Sequence, residues 1–240
     1  MWRIWKKRFP RLLEMADQGF PAKSNSCGFY HDNTGERMEM FKKFVLQGNR
    51  PHIRIEEELL AIDKSAADAA FKKYSKELIG GYLTKQGFLK WKANAYVRRS
   101  PIDLLQYIDL QKERYGSKTF TVNCAIMPLY VPAKHMIIGF GDRLGYFIAG
   151  KDIWWDYADD ETANLSFQNV LQAVDRFVMP WFEKYDDENT YRKQLKKDSK
   201  KSFCGYDAGL WLEAIDGRSH QKQVIYENIQ RLKLPKSLMG

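Results

Sequence analysis

FLKWKANAYVRRSPIDLLQYIDLQKERYGSKTFTVNCAIMPLYV, residues 88–131, is the stretch on which the fold turns. Its last part is the plainest strand in the chain. Phe120, Val122, Cys124 and Ile126 alternate with Thr119, Thr121, Asn123 and Ala125, the period-two pattern of a strand with one face buried. Pro128 and Pro132 close it, because proline cannot donate to a ladder. Ahead of it, Leu104, Ile108 and Leu110 share a face, and Tyr115-Gly116-Ser117-Lys118 makes the turn between the two strands. Further back, Leu89, Trp91, Ala93, Ala95 and Val97 interleave with Lys90, Lys92, Asn94, Tyr96 and Arg98, as one half-buried strand or a short hairpin around Asn94. Ser100-Pro101-Ile102-Asp103 is a turn, so the stretch reads as three antiparallel strands.

Amphipathic helices flank these strands. Phe71, Tyr74, Leu78 and Tyr82 recur at three- and four-residue intervals, predicting a helix over 66–86 with Ser65 and Asp68 as a capping box. Gly80-Gly81 interrupts its apolar face at about 1 kcal/mol per glycine relative to alanine. That cost points to a close helix–sheet approach or a kink. Gly87 is placed to stop the helix in a left-handed conformation. A second helix is expected from an Asn164 cap to Tyr185, with Phe167, Val170, Leu171, Val174, Phe177, Val178 and Trp181 in one stripe and Pro180 kinking it. Between the helices, a fourth strand is expected within 144–149 and a short edge at 153–157. The glycine-rich Gly139-Phe140-Gly141-Asp142 and Gly145 read as a turn. The whole predicts an α+β domain, an antiparallel sheet of about four strands with helices on one face.

These residues carry a resemblance. Phe71-Lys72-Lys73, Lys85-Gln86-Gly87-Phe88 and Lys92-Ala93-Asn94-Ala95-Tyr96 resemble an uncharacterised bacterial family, the domain of unknown function numbered 4304. So do Tyr107-Ile108-Asp109-Leu110-Gln111-Lys112, the Phe-Thr-Val-Asn run at 120–123, and Asp152-Ile153-Trp154-Trp155. The resemblance spans residues 65–197 and implies a fold and a bacterial origin; no catalytic residue comes with it. The chain therefore divides into an N-terminal helical extension (1–64), the α+β core (65–197) and a C-terminal helical extension (198–240).

Composition fits a globular protein. The 240 residues are 44% hydrophobic, enough for a sizeable core. No apolar run approaches the ~20 residues needed to span a bilayer, and residues 1–7 lack the apolar stretch of a signal peptide. Three widely spaced cysteines, Cys27, Cys124 and Cys204, suit reduced thiols in a cytoplasm. The N-terminal extension opens with Trp5, Phe9, Leu12, Leu13 and Ala16 on one helical face and Arg3, Lys6, Lys7, Arg8 and Arg11 on others. Such a helix docks on a core or meets a membrane surface or partner. Residues 221–232 read as a final amphipathic helix before Pro235.

Three functional readings follow. The net charge of +9 raises nucleic acid as a partner. Its densest run is Arg192, Lys193, Lys196, Lys197, Lys200 and Lys201, of which 193, 196, 197 and 200 would share a helical face. A solvated helix end is the plainer explanation. Catalysis has less to stand on. Asp156, Asp159, Asp160 and Glu161 cluster after the tryptophans and could do acid–base work, yet acids before a helix also favour its N-terminus. The histidines His31, His52, His135 and His220 are scattered, and Cys27 with His31 makes half a zinc site at most. No phosphate-binding loop or nucleophile elbow occurs, and no cofactor, metal ligand or catalytic residue is nominated.

The leading reading is a non-catalytic protein-binding module, with a neutralising or immunity-type role as one version. Its candidate contacts are the strand aromatics Tyr96 and Tyr107 and the pair Trp154 and Trp155. Neighbours on a strand point to opposite faces, so one tryptophan enters the core while the other is left as an anchor.

Overall fold

The computed structural model describes residues 63–114, 116–201, 205–217 and 221–239. The expectations for the N-terminal extension, for Cys27 with His31, and for His52, Cys204 and His220 lie outside these residues.

The first helix begins two residues earlier than predicted. Asp63, not Ser65, is its cap, its carboxylate accepting the N–H groups of Ser65 and Ala66 at 2.9 and 3.1 Å. Helix α1 (Lys64–Tyr74) runs through a π-helical turn (Ser75–Gly80) into α2 (Gly81–Lys85). Gly80 sits where the helix meets the sheet: a Cβ there would lie 2.6 Å from the Tyr96 hydroxyl. The interruption of the apolar face is therefore a close approach. Gly87, at φ +80°, reverses the chain into the sheet.

Six antiparallel strands form that sheet: β1 (Leu89–Lys92), β2 (Ala95–Arg99), β3 (Leu104–Lys112), β4 (Thr119–Pro128), β5 (Gly141–Arg143) and β6 (Trp155–Asp156). Their order is β1-β2-β3-β4-β5, with β6 also beside β4. The hairpin around Asn94 supplies one strand beyond the three expected in residues 88–131. The strand expected at 144–149 is instead helix α3 (Leu144–Ala149), which buries Leu144, Phe147 and Ile148 at helical spacing. The extended segment lies just before it, as β5. The glycines around it are close crossings rather than a turn. A Cβ on Gly139 would fall 1.9 Å from the Gly205 carbonyl oxygen, and one on Gly145 2.5 Å from the Ile153 nitrogen.

The second long helix starts at Asp159, not Asn164. Asp159 accepts the Thr162 N–H at 2.8 Å, and the Thr162 hydroxyl accepts the Asp159 N–H at 3.2 Å, a capping box. Helix α4 (Asp160–Ala173) passes through a π-helical turn (Val174–Val178) into α5 (Met179–Asp186), with Pro180 in its first turn. The wider turn lies where proline withholds an N–H from the ladder.

Register decides which residues face these helices. Tyr96 opposes Ile108, Ile108 opposes Cys124, Leu110 opposes Val122, and Lys112 opposes Phe120. Phe120 stacks on Phe167 of α4 at 4.6 Å and meets Phe71 of α1 edge-on at 5.3 Å. The C-terminal helices α6 (Glu188–Asp198), α7 (Ala208–Asp216) and α8 (Lys222–Arg231) join the same core, followed by a 3-10 turn (Lys236–Met239). Fully buried Phe140 packs against Tyr185, Tyr191 and Tyr206 at 5.0–5.6 Å. Asp198, buried at 1% exposure, accepts the Tyr206 hydroxyl at 2.6 Å and pairs with Lys201. Among the described residues no helix is long and apolar enough to cross a membrane.

Candidate functional site

Strand alternation turns every second residue of β3 and β4 away from the helices. On that side Tyr107 opposes Ala125, Asp109 opposes Asn123, and Gln111 opposes Thr121. Polar side chains occupy the centre. The Asn123 amide donates to Gln111 Oε1 at 3.0 Å and to Asp109 Oδ2 at 3.3 Å. The Tyr107 phenol lies beside the same carboxylate and interacts with it. Burial pushes the Asp109 carboxyl above the ordinary carboxylate range, against the opposing pull of the Asn123 and Tyr107 hydrogen bonds and of Lys92. Burial likewise raises the Tyr107 phenol. Thr121 Oγ1 is buried here without a hydrogen-bond partner.

One flank is the sheet edge made by β5 and β6. Arg143 opposes Asn123 across the β4–β5 pair. Its guanidinium is ion-paired with Asp152 and lies 5.2 Å from the centre of the Trp154 ring, while the Trp154 indole N–H donates to the same Asp152 oxygen at 3.0 Å. The other Asp152 oxygen is buried without a partner. Next to them, burial raises the Asp142 carboxyl, opposed by the Arg143 N–H and reinforced by the Asp152 charge. The other flank is β1, where the Trp91 ring meets Tyr107 edge-on at 5.9 Å.

The anticipated contact residues part company. Tyr96 and Tyr107 are buried, at 4% and 9% exposure, so neither ring is presented to a partner. Trp155 is a core residue tilted against Phe120 at 6.2 Å, and Trp154 stays partly exposed at the edge. The basic run is divided too. Arg192 is paired with Glu188 at 2.8 Å and Asp216 at 2.6 Å. Lys193, Lys196 and Lys197 are exposed on α6, and Lys200 lies past its end. The acids after Trp155 organise local structure. Asp156 accepts the Ala158 N–H at 2.8 Å, Asp159 caps α4, and Asp160 accepts the Tyr74 hydroxyl at 2.7 Å beside Lys73. Glu161 is exposed. Among the described residues no three His, Cys, Asp or Glu side chains group to hold a metal. Cys124 is a buried free thiol facing the helices, raised by burial and less reactive for it.

Asp109, Gln111, Thr121, Asn123, Arg143 and Asp152 were not anticipated. A signal existed for two of them: Asp109 sits between Ile108 and Leu110, and Asn123 between Val122 and Cys124, each a polar residue inside a strand of apolar neighbours.

Residues 79–184 match the family described as Domain of unknown function (DUF4304). That span holds all six strands, and with them the polar face and the Arg143–Trp154 edge. No curated protein and no solved structure matches the chain.

Proposed function

We propose that the protein is a non-catalytic protein-binding module of the bacterial cytoplasm, engaging its partner through the polar sheet face and the edge beside it. The observation that carries this reading is the Arg143–Asp152–Trp154 unit. Arginine and tryptophan dominate interface hot spots. Here both are held by one carboxylate before any partner arrives, which lowers the entropy cost of docking. The amides of Gln111 and Asn123 beside them have hydrogen-bonding capacity beyond the bonds they make to each other and to Asp109. A neutralising or immunity-type partner would suit such a surface.

The test is capture of partners by the immobilised chain from a bacterial lysate, with and without nuclease, at low and moderate salt. A single protein retained in stoichiometric amount through both treatments supports the reading. Trp154→Ala should then weaken that protein by about 2 kcal/mol or more; an unchanged affinity removes Trp154 from the site.

The exposure of Lys193, Lys196 and Lys197 on α6, with Lys200 beyond, favours a second reading, nucleic-acid binding along that helix. It requires an affinity that falls steeply with salt. Retention lost to nuclease would put this reading first.

A further inference from the structure

Beside the lysine run of α6, whose helix carries Glu188 and Asp198 and meets Asp216, the molecule has a second positive surface. It forms at the opposite side of the sheet, where two segments far apart in the chain come together. Residues 85–99 contain Lys85, Lys90, Lys92, Arg98 and Arg99 and no acid, Arg99 being ion-paired with Asp103 at 2.6 Å; residues 228–240 contain Arg231, Lys233 and Lys236 and no acid. The Trp91 indole N–H joins them, donating to the Leu232 and Lys233 carbonyls at 3.1 and 3.0 Å. Arg99 adds a bond to the Leu238 carbonyl at 2.6 Å. Lys90, Lys92, Lys233 and Lys236 are exposed, and among the described residues none of the four is ion-paired with a carboxylate.

The strand they surround is β1, the terminal strand of the sheet order. Its pairing partner is β2, and among the described residues no strand lies beyond it. An edge of this kind offers outward N–H and C=O groups to another chain. Proteins blunt such edges with short strands, lysines and bulges, and β1 has all three: four residues, two lysines, and a register shift between Lys90 and Lys92. Of these, the lysines discriminate by charge: they repel a basic strand and favour an acidic one. The bulge also distributes the charge. Lys90 pairs with Tyr96, which faces the helices, whereas Lys92 pairs with Ala95, which faces away. An added strand, alternating its side chains between the two faces, would meet a lysine on each.

We propose that the outer edge of β1, framed by Lys90, Lys92, Lys233 and Lys236, accepts an extended acidic segment of another protein by strand addition. Main-chain hydrogen bonds would supply the binding, and the lysines would select the sequence. Nucleic acid fits this surface less well. Trp91, the aromatic ring at its centre, has its N–H engaged, Tyr107 against it, and Lys92 at 3.9 Å over its face, so it is not free to stack a base. The surface lies at the far side of the sheet from Trp154, and the inference holds whether or not Trp154 contacts a partner.

The test uses the full chain and a fluorescein-labelled ten-residue peptide of alternating glutamate and valine. The expected result is saturable binding by anisotropy, with slowed amide exchange at residues 89–92 and none at 193–197. Lys90→Glu with Lys92→Glu should weaken binding at least ten-fold while leaving the circular dichroism unchanged. N-methylation of alternate peptide nitrogens, in the frame that faces β1, should abolish it. Absence of binding at millimolar peptide overturns the inference. So does equal binding by both N-methylated frames, which would mean attraction by charge alone. A single-stranded oligonucleotide that binds more tightly at the same residues overturns it in favour of nucleic acid.

Discussion

The two faces of the sheet are built from alternate residues of the same strands. Toward the helices lie Tyr96, Ile108, Leu110, Phe120, Val122 and Cys124, all buried, with Gly80 letting the helix close onto them. On the other side Leu105, Tyr107, Ala125 and Met127 are buried as well, and the difference is confined to Asp109, Gln111 and Asn123, partly exposed and hydrogen-bonded to one another, with buried Thr121 between them and Arg143 and Trp154 at the edge. Apolar burial is worth roughly 25 cal/mol per Å², whereas a buried polar group contributes little net even when paired and costs when it is not. The difference teaches where the sheet admits polarity. The helix face is largely apolar, whereas the other face sets a polar cluster, Asp109, Gln111 and Asn123, beside buried apolar positions.

The largest effect that could break this comparison is at Phe120. It is fully buried among Phe71, Trp155, Tyr157 and Phe167. Phe120→Ala should cost about 3–5 kcal/mol, read as a lower urea midpoint; a cost below about 1 kcal/mol would mean that the helix face is not the main source of stability. Next comes Gly139→Ala. Its new methyl would meet backbone, the Gly205 carbonyl, instead of a side chain able to swing aside. A loss of about 1–3 kcal/mol is expected, with amide exchange rising in α7 more than in β3 and β4. A uniform rise would show that the C-terminal helices and the sheet unfold as one unit. Trp154→Ala, on the polar side, should cost only about 1 kcal/mol. A loss as large as that of Phe120→Ala would make the edge a part of the core.

How far the sequence revealed these faces depends on the distance over which each feature is encoded. The alternation of Thr119–Pro128, the Ser100–Asp103 turn, the stop at Gly87 and the Trp154/Trp155 split are local, and were legible. Helix α3 reads as a strand in the sequence because Leu144, Phe147 and Ile148 lie in a six-residue run too short to distinguish the two periods. The sequence points to Asn164 as the start of α4 because the acids before it read as a loop, although Asp159 and Thr162 have capping-box spacing. The polar face needed register: nothing local says that Asp109 opposes Asn123. The basic edge needed tertiary structure, since Trp91 and Lys233 lie 142 residues apart. The pairing of Arg192 with Asp216 of α7 needed tertiary structure for the same reason.

The smallest predicted effect addresses the polar face most directly. The Asp109 carboxyl is raised by burial, so the folded chain holds its proton more tightly than the unfolded chain does. The unfolded carboxyl titrates near 3.8. Between that pH and the raised folded value, the native state binds more protons, and stability falls as pH rises. Above the folded value the dependence on this group is flat. Asp109→Asn lacks the titration, so wild type should gain stability on the variant as pH is lowered from neutral through the folded value toward 3.8. The Tyr107 hydroxyl, the Asn123 amide and Lys92 all oppose the shift, and partial exposure screens it, so the gain should be on the order of a few tenths of a kcal/mol. Urea midpoints for both proteins across that range measure it, and a carbon-13 titration of the Asp109 carboxyl locates the folded value. If wild type instead lost stability on the variant as pH fell, Asp109 would be a carboxylate held in its charged form. The polar face would then contribute to stability, and the contrast between the two faces would disappear.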